Sequence, residues 1–394
     1  MKLIKESNNI NQDLFIYKHC KEITKYLKPF MNKAYYNGCD LITNPSQYLM
    51  AFGEKSNGKS TFYQMIACII WWLYGVQSVL LRLYDEDFKK GRAEAMFGGI
   101  PQGFISKLTN DAYDNVTYRN FKWYFSKYDL DKNQLTLQEV PFCHRQCILN
   151  AGSSFQYPLV ELIIFDEFIR KDTLRNVPDE FIEFQTVVST IKRNKTTLQI
   201  AMIGNSFTYN SAYFREMGIS NIRQQLKGTI DTYRYGNNTL SVSCEYCDTP
   251  VKDSKGNDYF AFNNPKLEMI YNGKFQLDIY PHIKRKYKPK DVVLTYYIKH
   301  IDHMLQCDII NTGEDEYTYI HDDLTNTVDY LSDLIYQIND DTRMNVRKNI
   351  LKPTYDFERE ITRFYLMNKV FYKSNDIGDI AHDYIATCKS LAIK

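Results

Sequence analysis

A chain of 394 residues with 44% apolar and 15% aromatic content can fill roughly two or three cores, and it lacks the signature of a disordered protein. Its formal net charge of +2 excludes a basic field over the whole surface, so any contact with nucleic acid has to come from local clusters of Lys and Arg. The nine cysteines are an odd, scattered set and nothing at the N-terminus reads as a secretory signal, which together predict a reduced compartment.

Residues 1–47 read as a helical preface that ends at the turn Thr43-Asn44-Pro45-Ser46 and packs near a nucleotide base. The apolar run Tyr48 to Phe52 then predicts a short buried strand. It enters Gly53-Glu54-Lys55-Ser56-Asn57-Gly58-Lys59-Ser60, which fits the phosphate-loop pattern G-x-x-x-x-G-K-[ST] at every fixed position. In such a loop the glycines let backbone N–H groups turn onto phosphate oxygens, and the following helix adds its positive end. Lys59 is assigned to the β- and γ-phosphates of ATP, Ser60 to Mg²⁺, and Thr61 opens the helix that leaves the loop, running to Leu73. The segment Met65 to Leu81 approaches the length and apolarity of a membrane span, but Gly75 divides it into a core helix and a new strand from Ser78 to Tyr84, and no membrane contact is expected.

Residues 85–103 are charged and then glycine-rich, with a polar helix after them. Residues 116–140 alternate like antiparallel strands around Asp131-Lys132-Asn133. Lysines on that hairpin, Lys122, Lys127 and Lys132, are candidate grips on DNA, although exposed hairpin lysines ordinarily only solubilise. Leu162-Ile163-Ile164-Phe165 predicts a strand buried on both faces, with Asp166 and Glu167 at its end. This is a Walker B pattern, in which Asp166 supports the metal and Glu167 polarises the attacking water. The glutamate directly after the aspartate points to the P-loop enzymes that insert an extra strand between the two motifs.

The helix Phe181 to Asn194 carries acid in its first turn and Lys192-Arg193 at its end. Arg193 is either a helix-end cation or an arginine that completes a neighbouring subunit's site. Leu198 to Ile203 predicts another strand, closing on Asn205, which is either a γ-phosphate sensor or simply part of a strand-ending turn. Cys143, His144 and Cys147, with Cys244 and Cys247, offer soft ligands for a shared zinc site, against the simpler reading of buried thiols. Residues 248–287 read as a linker or lid. A basic cluster spans their end and the start of the next segment, Lys284, Arg285, Lys286, Lys288 and Lys290 with Tyr287 among them, suited to a phosphate backbone or to a solvated connector. Three strands, Val292 to Ile298, Met304 to Ile310 and Tyr317 to Ile320, then precede helices at 326–338, 357–371 and 377–392, an α+β pattern.

The phosphate loop, Ile163 through Arg170 and Ile203-Gly204-Asn205-Ser206 through Tyr213-Phe214 resemble the DNA-packaging ATPases of small protein-primed podophages, terminase-like members of the extra-strand P-loop class. The resemblance implies an α/β P-loop ATPase domain with a mostly parallel sheet over 1–247, a linker or lid over 248–287 and a ribonuclease H-like domain over 288–394. It implies an ATP- and Mg²⁺-dependent motor, in the host cytoplasm and transiently at the procapsid portal, that moves double-stranded DNA as a homopentameric ring, with a structured packaging RNA as a further partner. Arg193 falls at that family's trans-acting arginine and Lys55 at its basic loop residue. A carboxylate midway along the first strand of the last domain is what two-metal nuclease chemistry needs, and Val292 to Ile298 has none, so that domain is expected to hold nucleic acid without cutting it. A terminase with an active nuclease and a nucleotide-gated DNA-binding scaffold are the alternatives.

Overall fold

The structure is a computed structural model that describes residues 13–32, 35–129, 131–149, 157–169, 180–206, 209, 211–248, 280–281, 287–300, 303–325, 327–338 and 341–392. The described residues up to 248 form one compact unit and those from 280 onward a second.

In the first unit, helix α1 (Phe15–Leu27) buries Ile16, Cys20, Ile23 and Leu27, an apolar stripe at helical spacing. The short α2 (Cys39–Ile42) leads to strand β1 (Tyr48–Gly53), every residue of which is buried, and then to α3 (Lys59–Tyr74). Helix α3 is apolar almost all round because it is packed almost all round. It stops at Gly75, whose positive φ of 67° lets its N–H turn back to Trp71 O at 2.8 Å. Strand β2 (Gln77–Arg82) follows, so Met65 to Leu81 is a core helix plus a core strand. No described helix is long and apolar enough to cross a membrane.

Helices α4 (Lys90–Ala95) and α5 (Phe104–Thr109) connect to a meander of β3 (Asn115–Arg119), β4 (Lys122–Asp129) and β5 (Gln134–Leu137). The predicted hairpin thus has three strands, with a turn at Asn120-Phe121 as well as at Asp131-Lys132-Asn133. Strand β6 (Cys143–Cys147), strand β7 (Val160–Asp166), helix α6 (Glu180–Lys192), strand β8 (Gln199–Asn205), helix α7 (Ala212–Glu216) and the hairpin β9 (Thr229–Tyr235) with β10 (Leu240–Tyr246) complete the unit.

The sheet runs β3-β4-β6-β2-β7-β8-β1-β10-β9, with β5 paired to β4. Its middle six strands, from β6 to β10, are all parallel, and antiparallel strands lie only at the two ends. Strand β8 separates the phosphate-loop strand β1 from the Walker B strand β7, which is the inserted strand that Glu167 predicts. The same order removes the shared zinc site. Cys143 on β6 and Cys244 on β10 are five strand spacings apart, roughly 24 Å at about 4.8 Å each. Both thiols are buried, burial pushes both pKa values up, and no described group of three His, Cys, Asp or Glu side chains is placed to hold a metal.

The second unit contains β11 (Val292–His300), β12 (His303–Asn311), β13 (Glu316–His321), β14 (Ile335–Tyr336), β15 (Val346–Arg347), α8 (Asp356–Leu366), β16 (Val370–Tyr372) and α9 (Asn375–Ala392). Its sheet order is β15-β14-β11-β12-β13-β16, an antiparallel meander extended by parallel strands on both sides. Two expected helices differ. Residues 327–338 are turns ending in β14, because Asp329 takes Leu331 N at 3.0 Å and Ser332 Oγ at 2.6 Å while Asp333 takes Asp329 N at 2.8 Å. These local bonds compete with a helix ladder for the same backbone groups. The helix expected to reach Phe371 stops at Leu366, where Asn368 adopts φ 56° and redirects the chain into β16. Most of the stretch read as a linker lies outside the described residues. Tyr280 and Pro281 at its far end pack on the second unit, where Tyr372 N donates to Pro281 O at 3.0 Å.

Candidate nucleotide site

Parallel strands deliver their C-terminal ends to one edge of a sheet, and ligands of open α/β sheets bind there. In the first unit that edge brings together Gly53 on β1, Arg82 on β2, Asp166 on β7 and Asn205 on β8. A cavity of about 640 Å³ opens over it, and its walls include Lys55, Ser56, Asn57, Gly58, Lys59, Ser60, Thr61, Asp166, Glu167 and Asn205. The expected phosphate-loop and Walker B side chains are therefore gathered in one place, with Gly53 and Glu54 buried at the loop's entry.

Gly58 is the residue before α3, at φ 91°, and a Cβ there would lie 3.2 Å from the Tyr35 ring. Any side chain would meet both a disfavoured backbone and a ring. Lys59 is almost fully buried. Its Nζ donates to Glu54 O at 2.6 Å and to Asn57 Oδ1 at 3.0 Å, so the ammonium is folded onto the carbonyls of its own loop. Burial lowers its pKa, and the nearby acidic groups pull the other way. Asn57 Nδ2 is buried with no partner among the described residues. A buried cation and an unpartnered donor in a loop of this shape suit an anionic ligand with several oxygens.

Ser60 Oγ donates to Asp166 Oδ1 at 2.9 Å, joining residues 106 positions apart in the chain. A hydroxyl and a carboxylate that converge beside a phosphate loop could supply oxygen donors to Mg²⁺. Glu167 leaves the end of β7 at φ 66°, an unusual backbone for a non-glycine residue, with its carboxylate well exposed. Asn205 sits opposite Gly53 in the β1–β8 register, and Ser206 N donates to Gly53 O at 3.0 Å, so the tip of β8 is tied to the start of the loop.

Sequence reasoning did not single out Arg82, Tyr36 or Glu245. Arg82 contacts Asp166 Oδ2 at 2.7 Å and Glu167 Oε2 at 2.5 Å. Tyr36 N donates to Asn57 O at 2.7 Å and its hydroxyl to Glu245 Oε2 at 2.6 Å, connecting the N-terminal preface to the loop and to β10. Burial raises the Glu245 carboxyl to about 7, opposed by the Tyr36 hydrogen bond and by Lys59. The signal for Arg82 was a cation closing an apolar strand, at the position that Asp166 holds on the neighbouring one.

Arg193 stands apart. It is exposed, follows the last turn of α6 at φ 45°, and donates its N–H to Ser189 O at 2.9 Å. Two residues on, Lys195 Nζ reaches Val160 O, the first residue of β7, at 2.7 Å. Arg193 therefore lies at the edge where the strands begin, about 20 Å along β8 from its own phosphate loop. Of the nucleic-acid candidates, Lys284, Arg285 and Lys286 lie outside the described residues, and Lys288 and Lys290 are exposed. On the hairpin, Lys132 is paired to Asp129 at 3.1 Å and Lys127 donates to Asp111 O at 2.6 Å.

The whole fold matches two solved assemblies. The Phi-28 gp11 DNA packaging motor is 14% identical over 91% of this chain and 99% of that one, with a TM-score of 0.54. The bacteriophage Phi-29 viral genome packaging motor assembly is 15% identical over 89% of this chain and 98% of that one, with a TM-score of 0.55. The chain has the fold of the phage DNA-packaging motor proteins. No protein-family model matches it, and neither does any curated protein. In this packaging-motor fold the first unit is a P-loop ATPase sheet, and the cavity occupies the edge where such sheets hold nucleotide.

Proposed function

We propose that the chain is an ATPase that drives double-stranded DNA through a procapsid portal as part of a homo-oligomeric ring. The observation that carries the ATPase reading is the Ser60–Asp166 contact, which brings the phosphate loop and the carboxylate at the end of β7 to one point, as a shared metal-bound triphosphate requires. The DNA-packaging part rests on the packaging-motor fold.

Lys59 is set to leave its loop carbonyls for the β- and γ-phosphate oxygens, because a phosphate offers the buried ammonium full charge compensation. Backbone N–H groups of the loop, between Glu54 and Thr61, and the start of α3 orient the same phosphates. Ser60 and Asp166 are the residues that would hold Mg²⁺, which supplies charge neutralisation at the transferring phosphoryl group when bound. Glu167 accepts the proton of the attacking water as general base. Asn205 reports γ-phosphate loss along β8, whose tip is tied to the loop. Arg193, remote from its own loop and exposed, acts in the neighbouring subunit's site. The second unit holds nucleic acid, with Lys288 and Lys290 on its surface, and its meander of strands with helices supports a ribonuclease H-like domain; the lack of a carboxylate from Val292 to Ile298 supports binding without cutting. A pentameric ring at the portal, a packaging RNA and a site of action in the host cytoplasm follow from the same reading.

Steady-state phosphate release with and without double-stranded DNA tests this. DNA-stimulated turnover is expected. ATP binding without turnover in either condition would instead make the chain a nucleotide-gated scaffold.

A further inference from the structure

The phosphate loop is held from outside as well as from within. Asn57 O accepts from Tyr36 N at 2.7 Å and Asn57 Oδ1 from Lys59 Nζ at 3.0 Å, so one loop residue is pinned by the N-terminal preface on one side and by the lysine ammonium on the other. The Tyr36 ring is 8% exposed and meets the Phe62 ring of α3 edge-on, with centroids 5.4 Å apart at 76°. Gly38, two residues on, leaves room for it: a Cβ there would lie 2.6 Å from Tyr36 Oη and 2.7 Å from Phe62 Cε1. Burial holds the phenol protonated, with its pKa well above the ordinary value, so Oη is the donor in the 2.6 Å bond to Glu245 Oε2. Glu245 lies on β10 opposite Ala51 of β1, the strand that delivers the loop. The hydroxyl is thus anchored on the sheet while the backbone N–H of the same residue reaches the loop. A loop whose peptides are already fixed loses less conformational freedom when its ligand arrives, and binds it more tightly for that reason.

We propose that Tyr36 is a positioning residue that braces the phosphate loop: anchored on Glu245, it holds the Asn57 peptide in the orientation that receives a triphosphate. The brace acts on affinity for the phosphates rather than on the attack of water, because Asp166 and Glu167 end β7, two strands away from β1. Tyr36 also lines the cavity, so an aromatic contact with the nucleotide base is the competing role, and a triphosphate without a base separates the two. The inference rests on the reading of Gly53 to Ser60 as a triphosphate loop.

The test is displacement of a fluorescent ATP analogue from the full chain by MgATP and by magnesium tripolyphosphate, which has the phosphates and no base, together with steady-state kinetics. The chains compared are wild type, Tyr36→Phe, Glu245→Gln, Glu245→Ala, the Tyr36→Phe/Glu245→Ala double variant and Lys59→Ala. Tyr36→Phe keeps the ring and the backbone bond and removes only the anchor. It should weaken both competitors by about tenfold, the size expected of one buried hydrogen bond to a carboxyl group, and raise KM by a similar factor with kcat within about threefold. Glu245→Ala should do the same, and it carries the test if the Phe variant fails to fold. Glu245→Gln, whose amide oxygen still accepts, should stay within about threefold of wild type, a rescue that follows from the hydrogen bond alone. The double variant should be no weaker than the weaker single variant. Loss confined to MgATP overturns the brace and makes Tyr36 a contact for the base. Undiminished affinity in both Tyr36→Phe and Glu245→Ala overturns it outright, as do additive losses in the double variant. Lys59→Ala binding tripolyphosphate as tightly as wild type would instead be a failure of the parent reading, since the loop would then not be the phosphate site.

Discussion

Replacing Glu167 with Gln tests the catalytic assignment with little disturbance elsewhere. The substitution is isosteric, keeps an oxygen toward Arg82, and removes only the charge and the ability to take a proton. Glu167 is 60% exposed and Arg82 keeps Asp166 as a partner, so its loss leaves no buried charge unpaired, and Lys59 keeps its bond to Glu54 O and Ser60 its bond to Asp166. MgATP affinity should therefore stay within about threefold of wild type, since the groups that hold the phosphates and metal are untouched. Turnover should fall much further. A positioned general base contributes roughly 10²–10⁴-fold, which at 1.36 kcal/mol per decade is roughly 3–5 kcal/mol of barrier. Equilibrium binding of a fluorescent ATP analogue measures the first quantity and single-turnover phosphate release the second. Turnover within tenfold of wild type would refute the reasoning, because an exposed carboxylate that can be neutralised so cheaply is not the base.

Arg193→Ala should bind ATP normally and lose DNA-stimulated turnover, and mixing it with Lys59→Ala subunits should restore part of that turnover, since each then supplies what the other lacks; mixtures no better than their parts would exclude action between subunits. Glu245 has its folded pKa raised by burial to about 7 from 4.5, so the fold favours its protonated form. Stability is then fully present below about pH 4.5 and falls as pH rises toward 7, by on the order of 3 kcal/mol. Glu245→Gln should flatten that slope in calorimetric melts, and a slope equal to wild type would show that another group sets it. In the second unit, Asp308 is buried and accepts bonds from Thr295 Oγ1 at 2.7 Å, Gln306 Nε2 at 3.0 Å, His321 Nε2 at 3.0 Å and Tyr287 Oη at 3.3 Å. Burial raises its pKa, but the His321, Gln306 and Thr295 bonds together outweigh burial and hold it below the usual carboxylate value. Its contribution is therefore present above about pH 4 and lost as pH falls through the lowered value. Asp308→Asn should destabilise the second unit by about 2 kcal/mol, read by limited proteolysis, and wild type should leave plasmid uncut in Mn²⁺; nicking that Asp308→Asn abolishes would make this cluster a nuclease site.

The parallel core was legible because burial on both faces demands continuous apolar runs, and Tyr48 to Phe52, Leu162 to Phe165 and Leu198 to Ile203 supply them. Strand β6 was not legible, since Cys-His-Arg-Gln-Cys carries no such run and becomes a strand only by pairing with β2. The β9–β10 hairpin was also passed over, although its alternating residues flank Gly236-Asn237-Asn238, all three at positive φ. Residues 327–338 misled in the opposite sense. Val328, Leu331, Leu334, Ile335 and Ile338 imitate helical spacing, but the Asp329 and Asp333 side chains bind the backbone locally, and Ile335 joins the sheet instead.

The candidate site shows the same division between what a segment says alone and what pairing adds. Lys59, Ser60, Asp166 and Glu167 each belong to a motif that can be read within a few residues. Arg82 belongs to none, and its place depends on register. Strand β2 pairs with β7 so that Leu81 lies beside Phe165, and the next step along both strands brings Arg82 beside Asp166. A one-residue slip would turn Arg82 to the other face of the sheet. In that register Val79, Leu80 and Leu81 lie beside Ile163, Ile164 and Phe165, all of them in the core, so it is packing on both faces that holds it. The apolar residues that make β2 and β7 strands therefore also determine which cation stands at the Walker B carboxylates, and core substitutions that shift this pairing should alter metal binding without touching any polar side chain.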